Sequence, residues 1–188
     1  MAFSVTQFAA QGLPFGGARG SLFEVDIQTP AGVPNIGDRI RFQCRAAQIP
    51  AATINNLNVN YFGREVKVAG NRTFAEWSPT ILNDEDFQVR DAMEGWSNAI
   101  NSFQSNLRSP ALASLASYRT RATVTQFSKT GQRLRTYNFE NIFPTEVSTI
   151  ELSWDSDAIE EFTVTFQYDY WEVAQGTEGI SYDINISI

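Results

Sequence analysis

Alternating apolar and polar residues over much of the chain predict a protein built mainly from antiparallel β-strands. The clearest alternation covers residues 161–170, and a turn at 155–160 is expected to pair it with a strand at 150–154. Other alternating runs predict strands at 22–27, 39–46, 121–127 and 133–139. The polar side chains of the clearest run are Glu161, Thr163, Thr165, Gln167 and Asp169. Strands of this period bury one face and leave the other polar.

A weaker alternation from Ala52 to Val68 surrounds the pair Gly63-Arg64. It predicts a long hairpin with two polar faces. Hairpins that bury neither face of their own often project from a domain and pair with a neighbour.

Only one stretch has a clear helical period, and it predicts a helix over about residues 85–104. Its apolar stripe consists of Val89, Met93, Trp96, Ile100 and Phe103. Asn83 or Asp84 is expected to cap this helix, and Glu85 and Asp86 suit the positive end of its dipole. Capping is a more common use of such an acidic cluster than metal binding.

The two ends of the chain differ from the part between them. Residues 1–20 are rich in glycine and predict a flexible arm. At the other end, isoleucines and Tyr182 alternate with polar residues over 180–188, which predicts a terminal strand. A strand of this kind is an aggregation hazard unless it pairs with its own sheet or with another subunit. No repeat or linker divides the residues in between, so we expect one domain.

The composition limits the chemistry of the 188 residues. There is no histidine, which excludes Ser-His-Asp and Cys-His nucleophiles and any imidazole zinc site. The single cysteine, Cys44, lies in an alternating run and is expected to be a buried small hydrophobic residue. Neither a signal peptide nor an apolar run of membrane-spanning length is recognisable, so we expect a protein that is used without export or membrane insertion.

The net charge of −7 is distributed unevenly. All 14 basic residues precede Thr136, whereas 11 of the 21 acids follow it. Duplex DNA is held mainly by neutralisation of its phosphates, so this chain is expected to bind DNA poorly. The acidic part is either an interaction surface or a solvated face without a partner.

Paired carboxylates are the remaining catalytic option. The densest group is Asp155, Asp157, Glu160 and Glu161, with Trp154 and Trp171 as possible sugar platforms. Turn chemistry explains the acids equally well, and the group lacks the glycine and the spacing of a calcium loop. We therefore assign no catalytic, cofactor or metal site, and keep a carbohydrate-binding β-sandwich as the alternative from another functional class.

Six groups of short segments occur in an order that resembles the tail tube protein of contractile-tailed bacteriophages. They are Phe42-Gln43-Cys44 with Ile49-Pro50, Val68-Ala69-Gly70-Asn71-Arg72-Thr73-Phe74 with Trp77, Asn83-Asp84-Glu85, Phe143-Pro144-Thr145, Leu152-Ser153-Trp154-Asp155-Ser156 and Asp169-Tyr170-Trp171-Glu172. The resemblance covers about residues 20–172. Tube proteins of type VI secretion and of contractile injection devices are similar in fold and are near alternatives.

The resemblance implies a β-sandwich or barrel-like subunit with one flanking helix. Six subunits would form a ring with a 24-stranded inner barrel, and rings would stack into a hollow tube inside the contractile sheath. Such a subunit is not an enzyme and needs no cofactor. Its implied partners are copies of itself, the sheath, baseplate, tape-measure and terminator proteins, and genomic DNA in transit. Its implied location is the virion tail, after assembly in the host cytoplasm.

With this resemblance, residues 21–172 are expected to form the tube domain and 173–188 an extension that pairs with a neighbouring subunit. The expected bore residues are Glu151, Asp155, Glu161, Thr163, Thr165, Gln167 and Asp169, on a face without positive partners. The expected subunit contacts are Ile54, Asn56, Asn58, Asn60, Phe62, Arg64, Lys67, Ile184 and Ile186. Arg39, Arg41 and Arg45 form a row that either lies in the inner sheet or contacts acids of an adjacent subunit.

Overall fold

Nine β-strands and four α-helices make up residues 4–174, which are the part of the chain that the computed structural model describes. The strands are β1 Phe23–Ile27, β2 Cys44–Ala46, β3 Ala52–Tyr61, β4 Arg64–Phe74, β5 Thr80–Leu82, β6 Thr120–Phe127, β7 Arg133–Val147, β8 Glu161–Gln167 and β9 Tyr170–Ala174. The helices are α1 Val5–Gln7, α2 Gly37–Gln43, α3 Gln88–Ile100 and α4 Leu115–Tyr118, with single turns of other helix types at Phe8–Gly12 and Pro110–Leu112.

One long strand, β7, joins the two parts of a curled antiparallel sheet. Its first part pairs with β6 on one side and β9 on the other, and its last part, from Phe143, pairs with β8. The sheet therefore has one four-stranded part in the order β1-β6-β7-β9 and another in the order β7-β8-β5-β2. Asn141, at a φ of 61° beside a register shift, marks the bulge between the two parts.

The core lies where the inner face of this sheet meets α3. Phe162, Val164 and Phe166 of β8 are buried, as the alternation predicts. Trp77 stacks on Phe139 with 4.6 Å between ring centroids. Trp96 of α3 is fully buried, and its indole N–H donates to the carbonyl of Tyr118 at 3.0 Å. This bond satisfies the buried indole of Trp96 and fixes α3 against α4.

The strands predicted at 22–27, 121–127 and 133–139 are confirmed as β1, β6 and the first part of β7. The run predicted at 161–170 forms β8 as far as Gln167, and a separate strand, β9, begins at Tyr170. Helix α3 covers Gln88–Ile100, inside the predicted range 85–104. Val89, Met93 and Trp96 of its stripe are buried, but Phe103 is 76% exposed. The terminal strand predicted at 180–188 lies outside the described residues. The flexibility predicted for residues 1–20 stays a prediction.

The strand predicted at 39–46 is wrong over most of its length, because residues 37–43 form α2. Ile36 and Ile40 are buried and stand one helical turn apart, whereas Phe42 is 86% exposed. The same sequence therefore fits a period of four residues as well as a period of two, and contact with β1 favours the helix.

The predicted cap of α3 is also wrong. The residue before the helix is Phe87, in a left-handed conformation with a φ of 52° and no side-chain capping bond. Asn83 donates to Glu160 at 3.0 Å, and Asp84 accepts from the Glu85 amide instead. Both proposed caps are thus used in the turn before the helix begins.

The strand predicted at 150–154 and its hairpin turn are wrong as well. Residues 148–160 contain no strand, and the side chains of Leu152 and Trp154 are almost wholly exposed. The reason is that β5 and β7 occupy both edges of β8, so no edge remains for a third partner. None of the helices in residues 4–174 is long and apolar enough to span a membrane.

Candidate functional site

The hairpin of β3 and β4 is confirmed, and it is a separate two-stranded sheet. Its turn residues Phe62 and Gly63 both have positive φ, at 46° and 77°, which is the signature of a type I′ turn. At the base of the hairpin, Phe74 packs against Tyr168 and Trp171. Nearly every residue beyond that base is exposed, so the hairpin extends from the body of the subunit.

The hairpin does not have two polar faces, so that prediction is wrong. Leu57 pairs with Val68 and Val59 pairs with Val66, and Tyr61 lies on the same face. These five side chains are between 46% and 67% exposed. An isolated hairpin is marginally stable in water, and a contiguous exposed apolar surface commonly marks an interaction site. We name these five residues the apolar hairpin face.

The predicted contact residues Asn56, Asn58, Asn60 and Lys67 lie on the opposite, polar face, together with Glu65. From Leu57 to Val68, apolar residues occupy odd positions before the turn and even positions after it. If the two strands are first paired across the turn, Leu57 lies opposite Val68 and Val59 opposite Val66, and the apolar face can be recognised from the sequence. A bulge ends this regular stretch near Gly70, where a Cβ atom would lie 2.9 Å from the carbonyl oxygen of Asn55.

The outward face of β8 carries a row of hydroxyl and amide groups. Thr163 is 3.4 Å from the hydroxyl of Thr80, and Thr165 accepts from Ser78 at 3.3 Å. Gln167 donates to Glu76 at 2.6 Å. These bonds join β8 to the segment 76–80 beside it, so the polar groups form a fixed, largely uncharged surface. We name residues Ser78, Thr80, Thr163, Thr165 and Gln167 the β8 polar face.

Two of the four acids expected on this surface have positive partners, so the prediction of a face without such partners is wrong for them. Glu161, at the start of β8, forms an ion pair with Arg45. Asp169, between β8 and β9, is 3.2 Å from Arg119 and accepts from Asn141 at 2.8 Å.

Glu151 and Asp155 lie apart from β8, exposed in the 148–160 connection. The structure therefore brings Glu161, Thr163, Thr165 and Gln167 together on one strand. It leaves the other three expected bore residues outside that strand.

The arginine row meets acids of its own chain. Arg39 pairs with Asp86 at 2.6 Å and with Asp84 at 3.4 Å. Arg41 reaches both acids of β1, at 3.3 Å and 3.4 Å, and Arg45 holds Glu161. These groups are partly exposed, and such pairs contribute about 0 to 1 kcal/mol each. Their main effect is to neutralise acids at this edge of the subunit.

Cys44 is buried, as expected, and burial raises the pKa of its thiol to about 12. The thiol therefore stays protonated near neutral pH and is not a nucleophile.

Of the four carboxylates considered for catalysis, Glu160 accepts from Asn83 and Glu161 pairs with Arg45. Within residues 4–174, no group of three or more metal-ligating side chains is placed to hold an ion.

The chain is similar to known proteins over most of its length. A family model described as phage tail tube protein matches residues 18–174. Tail tube protein gp19 of Enterobacteria phage T4 is 32% identical over 157 residues, which are 82% of this chain and 91% of that protein. The corresponding protein of Enterobacteria phage T6 has the same identity and coverage.

Solved structures share the fold. A chain of the sheath-tube complex of the extracellular contractile injection system PVC matches with a TM-score of 0.60 at 15% identity, over 92% of this chain and 99% of that one. A chain of the tube-terminating cap of the anti-feeding prophage matches with a TM-score of 0.62 at 15% identity, over 85% and 92%. At such identities the match concerns the fold alone. On the family model and the two phage relatives, the chain belongs to the phage tail tube protein family.

Proposed function

We propose that this chain is the subunit of a contractile phage tail tube, in which hexameric rings stack into a hollow conduit for genomic DNA. The relatives that support this are named tail tube proteins and align over most of both chains. The observation in the structure that carries the proposal is the apolar hairpin face, which an isolated subunit leaves in water. A subunit that assembles would bury it.

The sheet part β7-β8-β5-β2 is suited to joining copies into a barrel. β8 and β5 lie in its middle, so their edges are occupied. Within the described residues, the last part of β7 and β2 each leave one edge unpaired. Pairing of one copy's β7 edge with the next copy's β2 edge would close a ring without open edges. Six copies of four strands give a 24-stranded barrel.

In this arrangement the β8 polar face is turned to the bore. DNA carries about one negative charge per 1.7 Å of its axis, so a basic wall would hold it by releasing counterions. Hydroxyl and amide groups offer no such attraction, and the salt bridge of Glu161 with Arg45 removes one local charge. DNA would slide past this surface without specific binding. Glu151 and Asp155 then flank the wall, and Asp169 flanks it as the partner of Arg119.

The apolar hairpin face supplies the contact between neighbouring subunits. Its apolar residues would form the dry centre of that contact, and the polar residues Asn56, Asn58, Asn60 and Lys67 on the other face would lie at its margin toward solvent. Phe62 of the turn and Arg64, the first residue of β4, lie at the tip of the hairpin. We also propose that the 173–188 extension, through Ile184 and Ile186, adds a strand to a neighbour.

The remaining partners follow from the proposed role. We propose contacts with the sheath, baseplate, tape-measure and terminator proteins, a place in the virion tail after assembly in the host cytoplasm, and no enzymatic activity. The injection-device structures share the fold at 15% identity, whereas the phage proteins are 32% identical. A phage tail is therefore favoured over an injection or secretion device.

Electron microscopy of the purified full chain over a concentration series, with sedimentation velocity, tests the proposal. The expected result is six-fold rings or hollow tubes above a threshold concentration. If the protein remains monomeric at every concentration, and also when purified baseplates are added as templates, the proposal is wrong.

A further inference from the structure

Three exposed apolar side chains lie in the connection between β7 and β8, with acids beside them in the sequence. Leu152, Trp154 and Ile159 are 80%, 105% and 70% exposed. The acids between and beside them are Glu151, Asp155, Asp157 and Glu160. We name residues 148–160 the acidic loop.

The acidic loop is held to a second acidic turn. The backbone N–H of Asn83 donates to the carbonyl of Glu160 at 2.8 Å, and its side chain donates to the Glu160 carboxylate at 3.0 Å. Residues 84–86 add three more acids, two of which pair with Arg39. Among the described residues, no base pairs with the acids of residues 151–160. This end of the subunit therefore has a negative surplus around an apolar centre.

A surface of the opposite character lies at the turn between β6 and β7. Lys129, Arg133 and Arg135 are exposed, and Leu134 between them is 50% exposed. The hydroxyl of Ser128 accepts from the amides of Thr130 and Gln132, so the turn is ordered. No acid occurs in the sequence between Glu94 and Glu140. Within residues 4–174, these three bases form no ion pair. We name residues 128–135 the basic turn.

The two surfaces lie at the two ends of the same strand. β7 begins at Arg133 in the basic turn and ends at Val147, just before the acidic loop. At about 3.3 Å per residue, its 15 residues give roughly 45 Å of strand path. Salt screens exposed charges beyond about 8 Å at physiological ionic strength. Within residues 4–174 no ion pair joins the two surfaces, so both are free to act on other molecules.

We propose that the basic turn of one copy docks on the acidic loop of the next copy, in a head-to-tail contact. The inference rests on the proposed function, because repetition of a contact between two different surfaces builds rings or filaments. The surfaces match in two respects. In the proposed contact, Leu134 of the basic turn packs on the apolar side chains near Trp154 of the acidic loop. The bases of the basic turn then meet the acids of the acidic loop. Charge of this kind steers the encounter and excludes the reversed orientation.

Reversing the charge of each surface tests the contact. One variant, Lys129→Glu with Arg133→Glu and Arg135→Glu, makes both ends acidic. The other, Glu151→Lys with Asp155→Lys and Asp157→Lys, makes both ends basic. Each variant alone should raise the critical concentration for assembly at least roughly tenfold, because like charges then meet. Mixed in equal amounts they should assemble together, since each now complements the other.

Two further variants make the outcome decisive. Trp154→Ala removes a fully exposed side chain, so the subunit should fold normally but assemble poorly. Asp91→Lys changes an exposed acid of α3 outside both surfaces and should leave assembly unchanged. Circular dichroism and thermal melting of every variant establish that it is folded.

The results separate this contact from the proposed function. If the wild-type protein forms tubes and folded charge-reversed variants assemble equally well alone, the contact is wrong and the tube function stands. If the folded variants fail alone and also fail when mixed, complementarity between the two surfaces is wrong. A wild-type protein that never assembles, even on baseplates, overturns the proposed function and this contact with it.

Discussion

Replacing the cross-strand pair Val59 and Val66 by threonine should weaken assembly while preserving the hairpin. Threonine keeps the shape and β-branching of valine, and strands favour both residues. The two side chains oppose each other in the middle of the apolar hairpin face. The change therefore adds two hydroxyls to the proposed contact and alters little else.

The structure sets the expected size of the effect. Val59 and Val66 are each 53% exposed, so about half of each side chain remains to be buried by a neighbour. Full burial of a valine stabilises by about 1.5 kcal/mol, which leaves about 0.8 kcal/mol for the remaining half of each. A hydroxyl buried without a partner costs about a further 1 kcal/mol. The pair should thus lose about 3.6 kcal/mol per contact, or roughly 400-fold in its dissociation constant.

The assay is the critical concentration for tube formation, measured by pelleting and by electron microscopy. A matched control replaces the cross-strand pair Asn58 and Lys67 by threonine on the polar face. We expect the valine variant to raise the critical concentration by roughly the factor above, whereas the control should change it only a few-fold. If the control blocks assembly and the valine variant does not, the polar face forms the contact and the argument from exposed apolar area is refuted.

Replacing Thr163 and Thr165 by arginine should leave tubes intact but slow DNA ejection, because bases on the bore attract phosphates; unchanged ejection rates from infectious particles would remove the β8 polar face from the bore. Removing residues 175–188 should lower the yield of pelleted tubes, and an unchanged yield would reject a role in assembly. Trp96→Ala should lower the free energy of unfolding by about 3–5 kcal/mol in urea titrations. Burial raises the pKa of Cys44 from 9.0 to about 12, so the folded thiol keeps a proton that the unfolded chain loses. Stability should therefore fall as pH rises through this window, and Cys44→Ala should reduce that fall in thermal melts.

The sequence was sufficient to predict a strand and its buried face where the local pattern agrees with the surroundings of that strand in the fold. In β8, every second residue is apolar, and both sides of the strand are covered by neighbours, so the alternation predicts burial correctly. The hairpin was likewise predicted from its turn. Its apolar face was missed because a two-residue turn changes the parity of the residues on one face, which weakens the alternation read along the chain.

Where one sequence pattern fits both a helix and a strand, or a strand and a loop, tertiary contacts determine which of them forms. The segment containing Ile36 and Ile40 fits a helix or a strand, and packing against β1 favours the helix. The 150–154 alternation would form a strand if an edge of β8 were open.

Ion pairs are still less accessible to sequence reasoning. Arg45 and Glu161 are 116 positions apart and meet only because β2, β5 and β8 lie side by side in one sheet. The charge of the candidate bore therefore depends on contacts that no local pattern contains.

A helical reconstruction of the assembled protein by cryo-electron microscopy tests the central claim most directly. It would show at once whether copies form a hollow tube and which surface faces its bore. We expect six subunits per ring, the β8 polar face on the inner wall and the apolar hairpin face against a neighbour. A tube lined by basic residues, with the β8 polar face on the outer wall, would contradict the proposed path for DNA.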